Sequence, residues 1–555
     1  MANAMPHVSQ AAASAAGSAT MTQMTGQIAF VLAMLAVVVL ARLISDRLGV
    51  PYTIILTICG LIYAALPGPN LHLEPDIVLF LVIPPLLYAA ALRSSLLAIR
   101  ADWRPITSLS VVLVLVTAFA VGALVARVVP QLTLAAGVVL GSAVAPPDPV
   151  ASLSIGRRAG LPSRLLTLLG GEGLLNDGTA LTTYQVAVAA TVGGGFSLAV
   201  ATGKFVLAVG GGLVIGAAIG YLQRLVRTAL RDPLLINAVS LGTPFAAYVA
   251  GAAAHVSGVL AVVIAGLLAG HDPPPGESGA SRLQTGAVWH FVEFLLEGFV
   301  FLLIGEQLPS VLAGLEDEPA GVTAAAIVAT LAAVLLVRPL WLFATQVVPG
   351  YFGSRLGDRK PALNWREALA LTWAGTRGVI TIAAVFAIPF TTNNHRPFPD
   401  RDLLLLCAYI VVLVTLVGQG LTFGPLLRLL GLQANEADDA QIRHDARLAS
   451  IGAAVSAVDD MQASGEIPAT TAGSMREALR RRADRYRTSF GMLTESDGEI
   501  GWSPELRATI RAQHAVIDAQ RDELLRWRDS GRMSDDCLRT LQHELDLEER
   551  TLPGG

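Results

Sequence analysis

The sequence predicts an all-α polytopic membrane protein. About thirteen transmembrane helices, arranged as inverted repeats with discontinuous helices, precede a helical cytoplasmic tail. Three observations carry this reading. Only 15% of the 555 residues are charged and 53% are hydrophobic, whereas a soluble chain carries nearer a quarter charged residues. The charge is unevenly spread: residues 435–555 hold 39 of the 82 charged side chains. Two of the apolar stretches contain helix breakers at their centres.

A helix needs about 20 apolar residues to cross a bilayer. Candidate segments lie at approximately 27–45, 50–66, 76–92, 106–129, 132–154, 163–192, 203–223, 234–253, 256–270, 289–308, 322–347, 366–389 and 402–427. Residues 1–25, rich in Ala, Ser, Thr and Met without a basic start, read as a disordered leader rather than a signal peptide. The membrane domain then covers 26–430 and the tail 431–555. With the N-terminus outside, the inner loops collect fourteen Lys and Arg residues, including Arg157, Arg158, Arg355, Arg359 and Lys360, against four in the outer loops. That bias orients the chain by the positive-inside rule and leaves the tail in the cytoplasm.

The fifth segment contains Ala145-Pro146-Pro147-Asp148-Pro149, and the twelfth contains Trp373-Ala374-Gly375-Thr376-Arg377-Gly378. Proline removes a backbone donor and breaks the helix. Freed backbone groups survive at membrane depth only inside protein or along a wet cavity. The breaks lie seven segments apart, so the two halves have opposite topology, a pattern that marks the binding site of a secondary transporter.

Ionisable residues within spans are costly and usually functional. The sixth segment carries Gly171-Glu172-Gly173-Leu174-Leu175-Asn176-Asp177. Glu172 and Asp177, five residues apart, point about 140° away from each other on a helix. They therefore do not share one proton. A buried arginine needs a partner, so Arg377 is expected to pair with Glu172, leaving Asp177 in a cavity. A carboxylate there can hold either a proton or a hard cation, which favours oxygen ligands. That competition is the least chemistry that couples a cation to a proton. Asp148, between two prolines, is expected to neutralise helix-end dipoles or ligate the cation beside the Pro147 carbonyl. The tenth segment adds Glu293 and Glu297, one turn apart on one face, and Glu306, expected to reach the interface. His255 reads as a solvated loop residue. Gly212, Gly216 and Gly220 form a helix-packing ladder.

Other classes find little support. There is no HExxH pair, and Gly276-Glu277-Ser278-Gly279-Ala280 lacks the last glycine of a nucleophile elbow. No phosphate-binding loop is present. Cys59, Cys407 and Cys537 form no CxxC pair. Arg480-Arg481-Arg482 sits among acidic residues and reads as a solvated helix face, not a nucleic-acid patch. In the tail, Ser503-Pro504-Glu505 and Ser534 read as helix starts. No enzyme activity and no cofactor are expected.

Together these motifs resemble the monovalent cation:proton antiporters of the bacterial NhaP and animal sodium/proton exchanger kind. Ile83-Pro84-Pro85-Leu86-Leu87-Tyr88 looks like the family's third-helix motif. Ser142 to Ala151 looks like its unwound fifth helix, and Glu172 to Asp177 like its signature in the sixth. Ser257 to Val262 and Trp373 to Pro389 are similar to two further helices. The resemblance spans most of the chain. It implies a homodimer and elevator-like alternating access. It also implies Asp177 as the acid that binds Na+ or another alkali cation, Asn176 as its neighbour, Glu172 and Arg377 as a stabilising pair, and electroneutral exchange. A K+/H+ exchanger of the same mechanism fits equally. The chain departs from the family at Gly173, often Ser, at Pro147, often Thr, and at Ala89, often Glu, which leaves ion selectivity open.

Overall fold

The computed structural model describes residues 32–48, 50–66, 78–193, 198–230, 232–271, 279–313, 319–347, 363–432, 436–494, 504–530, 532–533 and 535–549. The leader at 1–25, Arg355, Arg359, Lys360 and the two tail caps Ser503 and Ser534 lie outside these residues. The chain forms two compact units, Met1–Ala434 and Asn435–Gly555. Among the described residues there is no strand, only an isolated bridge between Thr391 and Pro397.

The first unit begins with α1 (32–48), α2 (Tyr52–Ala64) and α3 (Ile83–Leu92). Then come α4 (Trp103–Val128), α5 (Leu134–Val144), α6 (Pro149–Arg158) and α7 (Ser163–Gly193). They are followed by α8 (Leu198–Ala229), α9 (Pro233–Ala253), α10 (Gly258–His271) and α11 (Gly279–Glu306). The unit ends with α12 (Ala320–Val347), α13 (Trp365–Trp373), α14 (Val379–Phe386) and α15 (Arg401–Leu430). Six helices among the described residues are long and apolar enough to cross a membrane, α4, α9, α11, α12 and α15 among them, with most of α8 as the sixth.

Local chemistry sets many of these boundaries. Asp232 caps α9, its Oδ1 accepting from Leu234 N at 2.9 Å with Pro233 at the first position. Thr133 caps α5 through Ala136 N at 3.2 Å. Asn364 N donates to Glu367 at 2.7 Å where α13 begins. α15 stops at Gly431, whose φ of 63° suits glycine. As the breakers predict, the fifth segment divides into α5 and α6, and the twelfth into α13 and α14.

Packing brings backbones close. A Cβ on Gly60 of α2 would lie 2.9 Å from Gly305 Cα of α11, and Gly305 meets α2 in the same way. Gly212, Gly216 and Gly220 of α8 lie against α10, where a Cβ on Gly216 would come 2.5 Å from Ala261 O. The ladder read from the sequence therefore serves helix packing. His255 is exposed in a left-handed turn, φ 56°. Glu306 differs from expectation. It is buried at 8% exposure and accepts from Gln307 Nε2 at 3.2 Å, because its turn of α11 packs near Tyr63 of α2 instead of facing the interface.

The second unit contains α16 (Glu436–Ala463), α17 (Ala469–Thr494), α18 (Pro504–Asp529) and α19 (Asp535–Glu549). Arg476 of α17 bonds Asp459 of α16 at 2.7 Å, and Arg521 of α18 bonds Asp546 and Glu549 of α19 at 2.5 Å each. Ile451, Val458, Ala472 and Ala483 are buried in this unit, as are Ile517 and Leu538. Arg480, Arg481 and Arg482 are exposed, as a solvated face requires.

Candidate functional site

The two helix breaks cross. Asp148 N donates to Thr376 O at 2.6 Å, and Thr376 Oγ1 donates back to Asp148 O at 2.8 Å. Ser152 Oγ of α6 donates to Ala374 O at 2.8 Å. Backbone groups freed by one break are thus satisfied by the other, which is what a dry surrounding demands.

Four helix ends meet here, and one charge of each sign serves them. Asp148 accepts from Val150 N at 3.0 Å and also from Val379 N, the first turns of α6 and α14. Its negative charge lies at two positive helix ends. Arg377 donates through Nε to Val144 O at 3.0 Å, through Nη2 to Ala145 O at 3.3 Å, and through Nη1 to Gly375 O. Its positive charge lies at the carbonyl ends of α5 and α13. Arg377 N donates to Thr415 Oγ1 of α15 at 3.0 Å.

The expected pairing of Glu172 with Arg377 is therefore corrected. Glu172 forms a two-pronged ion pair with Arg338 of α12, with Nη1–Oε1 at 2.5 Å and Nη2–Oε2 at 2.8 Å. Arg338 Nε donates to Leu371 O at 3.0 Å. Both residues are buried. The reason is geometric: the α13 and α14 half-helices hold Arg377 over carbonyls, and an arginine from a neighbouring helix reaches the carboxylate.

α7 is one continuous helix, so Glu172 and Asp177 project in different directions. Asp177 is 5% exposed, and its carboxylate makes no hydrogen bond or ion pair among the described residues. It lies close enough to Asp148 for their charges to interact. Asn176 Nδ2 donates to Pro147 O at 2.8 Å, and Asn176 Oδ1 is buried with no partner among the described residues. Gly173 faces the Pro149 ring, and a side chain there would overlap it. Asp177, Asn176, Asp148, Pro147 and Gly173 thus come together at the crossing. Their oxygen groups form a donor set suited to a hard monovalent cation.

Glu293 and Glu297 make no side-chain hydrogen bond to this cluster among the described residues. Glu293 pairs with Arg93 through both guanidinium nitrogens, Nη1 to Oε2 at 2.6 Å. Glu297 accepts a hydrogen bond from the Tyr52 hydroxyl. Arg338, Thr376, Ser152 and Tyr52 were not singled out from sequence. An arginine at 338 in an otherwise apolar run was the signal available for the first. Ser152 and Tyr52 are small or aromatic groups with no distinguishing pattern, and Thr376 was visible only as part of the twelfth-segment break.

Two cavities flank the crossing. One, of about 380 Å³, is lined by Ser45, Tyr52, Ser154, Arg158 and Arg428, along the half of α6 that lies away from Asp148. The other, of about 60 Å³, lies between α7 and α10 and is lined by Thr182, Tyr184, Gln185 and Ser257. Tyr184 is two turns from Asp177, about 10 Å along α7.

Residues 33–429 match the family model described as Sodium/hydrogen exchanger, transmembrane. An uncharacterized Na+/H+ exchanger of Mycobacterium tuberculosis is 32% identical over 531 residues, covering 94% of this chain and 95% of that protein. A Bacillus subtilis protein named a sodium, potassium, lithium and rubidium/H+ antiporter is 33% identical over 400 residues, covering 70% and 59%. The solved sodium proton antiporter MjNhaP1 from Methanocaldococcus jannaschii superposes with a TM-score of 0.55 at 18% identity, covering 72% of this chain and 98% of that one. The last likeness concerns the fold.

Proposed function

Because the chain belongs to the transmembrane sodium/hydrogen exchanger family, a family of transporters, we propose that it exchanges an alkali cation for H+ with Asp177 as the carrier. The observation that carries this reading is Asp177 itself. It is a buried acid without a basic partner among the described residues, beside the crossing of two broken helices. An unpaired charge there is costly, so the acid holds either a proton or a cation. Binding Na+ releases one proton, and the reverse exchange on the other side completes an electroneutral cycle. Asn176 Oδ1 and the Asp148 carboxylate supply further oxygens, while Glu172 with Arg338 holds α7 to α12. The relative named for several alkali cations favours a broad selectivity, K+ included.

In this reading the protein spans the cytoplasmic membrane with its N-terminus outside and its tail in the cytoplasm, as the loop charges suggest. It works as a homodimer by elevator-like movement. Exposed apolar side chains of α8, such as Leu207, Val214 and Leu222, suit contact with lipid or with a second copy.

The test is made in everted vesicles lacking other antiporters, with a respiration-driven pH gradient. Na+, Li+ or K+ should collapse the gradient with the parent chain and fail to do so with Asp177→Asn. Full activity in that variant would overturn the site. No collapse with any cation at any pH would overturn antiport.

A further inference from the structure

We propose that Glu297, with Tyr52 as its hydrogen-bond donor, is a second proton-exchanging acid that hands the entering cation on toward Asp177. This deepens the reading just given and rests on it.

The argument starts from the buried acids and their partners. Glu172 has Arg338 and Glu293 has Arg93, each in a two-pronged pair. Glu297 is 5% exposed, and among the described residues its hydrogen-bond partner is the Tyr52 hydroxyl, with no basic group paired to it. A neutral phenol does not compensate a buried negative charge. Glu297 therefore resembles Asp177 and not its structural neighbours.

The second observation is where it lies. Tyr52 lines the 380 Å³ cavity with Ser45, Ser154 and Arg158, and its hydroxyl donates to Glu297. Asp148, at the crossing, lies within electrostatic reach of Glu297. Glu297 thus bonds to a residue that lines the cavity and lies within electrostatic reach of a residue of the ion site.

The charged groups around Glu297 come from five elements. Glu293 is one turn away on α11 and is occupied by Arg93, which follows α3. Tyr52 is on α2, with the Arg42 guanidinium of α1 5.5 Å from its ring centre. Asp148 faces it from the break. An entering cation displaces the Glu297 proton into the cavity, passes to Asp177, and Glu297 is reprotonated from the same cavity. α2 and α11 interlock at Gly60 and Gly305, so Tyr52 and Glu297 are held against each other. Its proton returns to the side it left and adds nothing to the transport ratio.

The full chain in liposomes tests this, with cation-driven proton movement followed from acid to alkaline pH. Glu297→Gln should raise the cation concentration for half-maximal transport by at least about fivefold. It should also flatten the pH dependence and keep the parental cation-to-proton ratio. Tyr52→Phe removes the donor to Glu297 and should change the pH profile of transport. If both variants keep the parental half-saturation and pH profile, Glu297 is a packing residue and the proposal fails. A changed ratio would also overturn it, since the Glu297 proton would then cross the membrane with the cargo. If Glu297→Gln does not fold, the Tyr52→Phe profile decides alone. Failure of the underlying reading is separate and is seen as normal transport by Asp177→Asn.

Discussion

Arg338 holds Glu172 where neither charge meets water, and the pair is worth most when one half is removed. Arg338→Met leaves a bare buried carboxylate and should destabilise the fold by about 3–5 kcal/mol. Thermal unfolding in detergent would read the loss. Adding Glu172→Gln should restore part of it, because the two effects are coupled. Equal stability in Arg338→Met and the parent would contradict a structural role for the pair. The acids were legible in the sequence because charges in apolar runs stand out, so Asp148 and Asp177 were found directly, with Asn176 beside them through the resemblance. The partner of Glu172 was not. Pairing depends on which of two arginines a helix presents, and Arg338 is 166 residues from Glu172. Nothing in local spacing distinguishes it from Arg377. The Tyr52–Glu297 contact, across 245 residues, was hidden for the same reason.

At the scale of elements, proline and glycine announced where helices would break, and α5/α6 and α13/α14 divide there. What spacing could not reveal is that the breaks satisfy each other, Thr376 with Asp148 and Arg377 with the ends of α5. That arrangement leaves no room at Gly378, where an added Cβ would run into the Asp148 carboxylate. Gly378→Ala should cost about 1–3 kcal/mol through overpacking and strongly lower transport. Gly418→Ala on α15, where a Cβ meets nothing within 4 Å, serves as the comparison and should behave as the parent. Transport equal in the two variants would show that the crossing tolerates displacement of Asp148.

At the scale of the molecule, the apolar periodicity and loop charges gave a polytopic chain with a charged tail, whereas the interlocking of α2 with α11 came only from the structure. Glycines at 60 and 305 are ordinary in apolar runs until the helices are seen together. The three cysteines offer a direct check on orientation. Cys537 of the tail is exposed and Cys407 is buried. A membrane-impermeant maleimide should label Cys537 in everted vesicles or lysed cells and leave it unlabelled in intact cells. Labelling in intact cells would place the tail outside. One further consequence follows from α7. Its 31 residues make a rod about 46 Å long, pinned to α12 at Glu172. With the pin about a third of the way along, the longer arm is a lever. A tilt of about 10° about that pin would scarcely move Asp177 yet would swing Gly193 by roughly 5 Å. A pair of spectroscopic labels at the far end of α7 would thus magnify a displacement too small to follow at the ion itself.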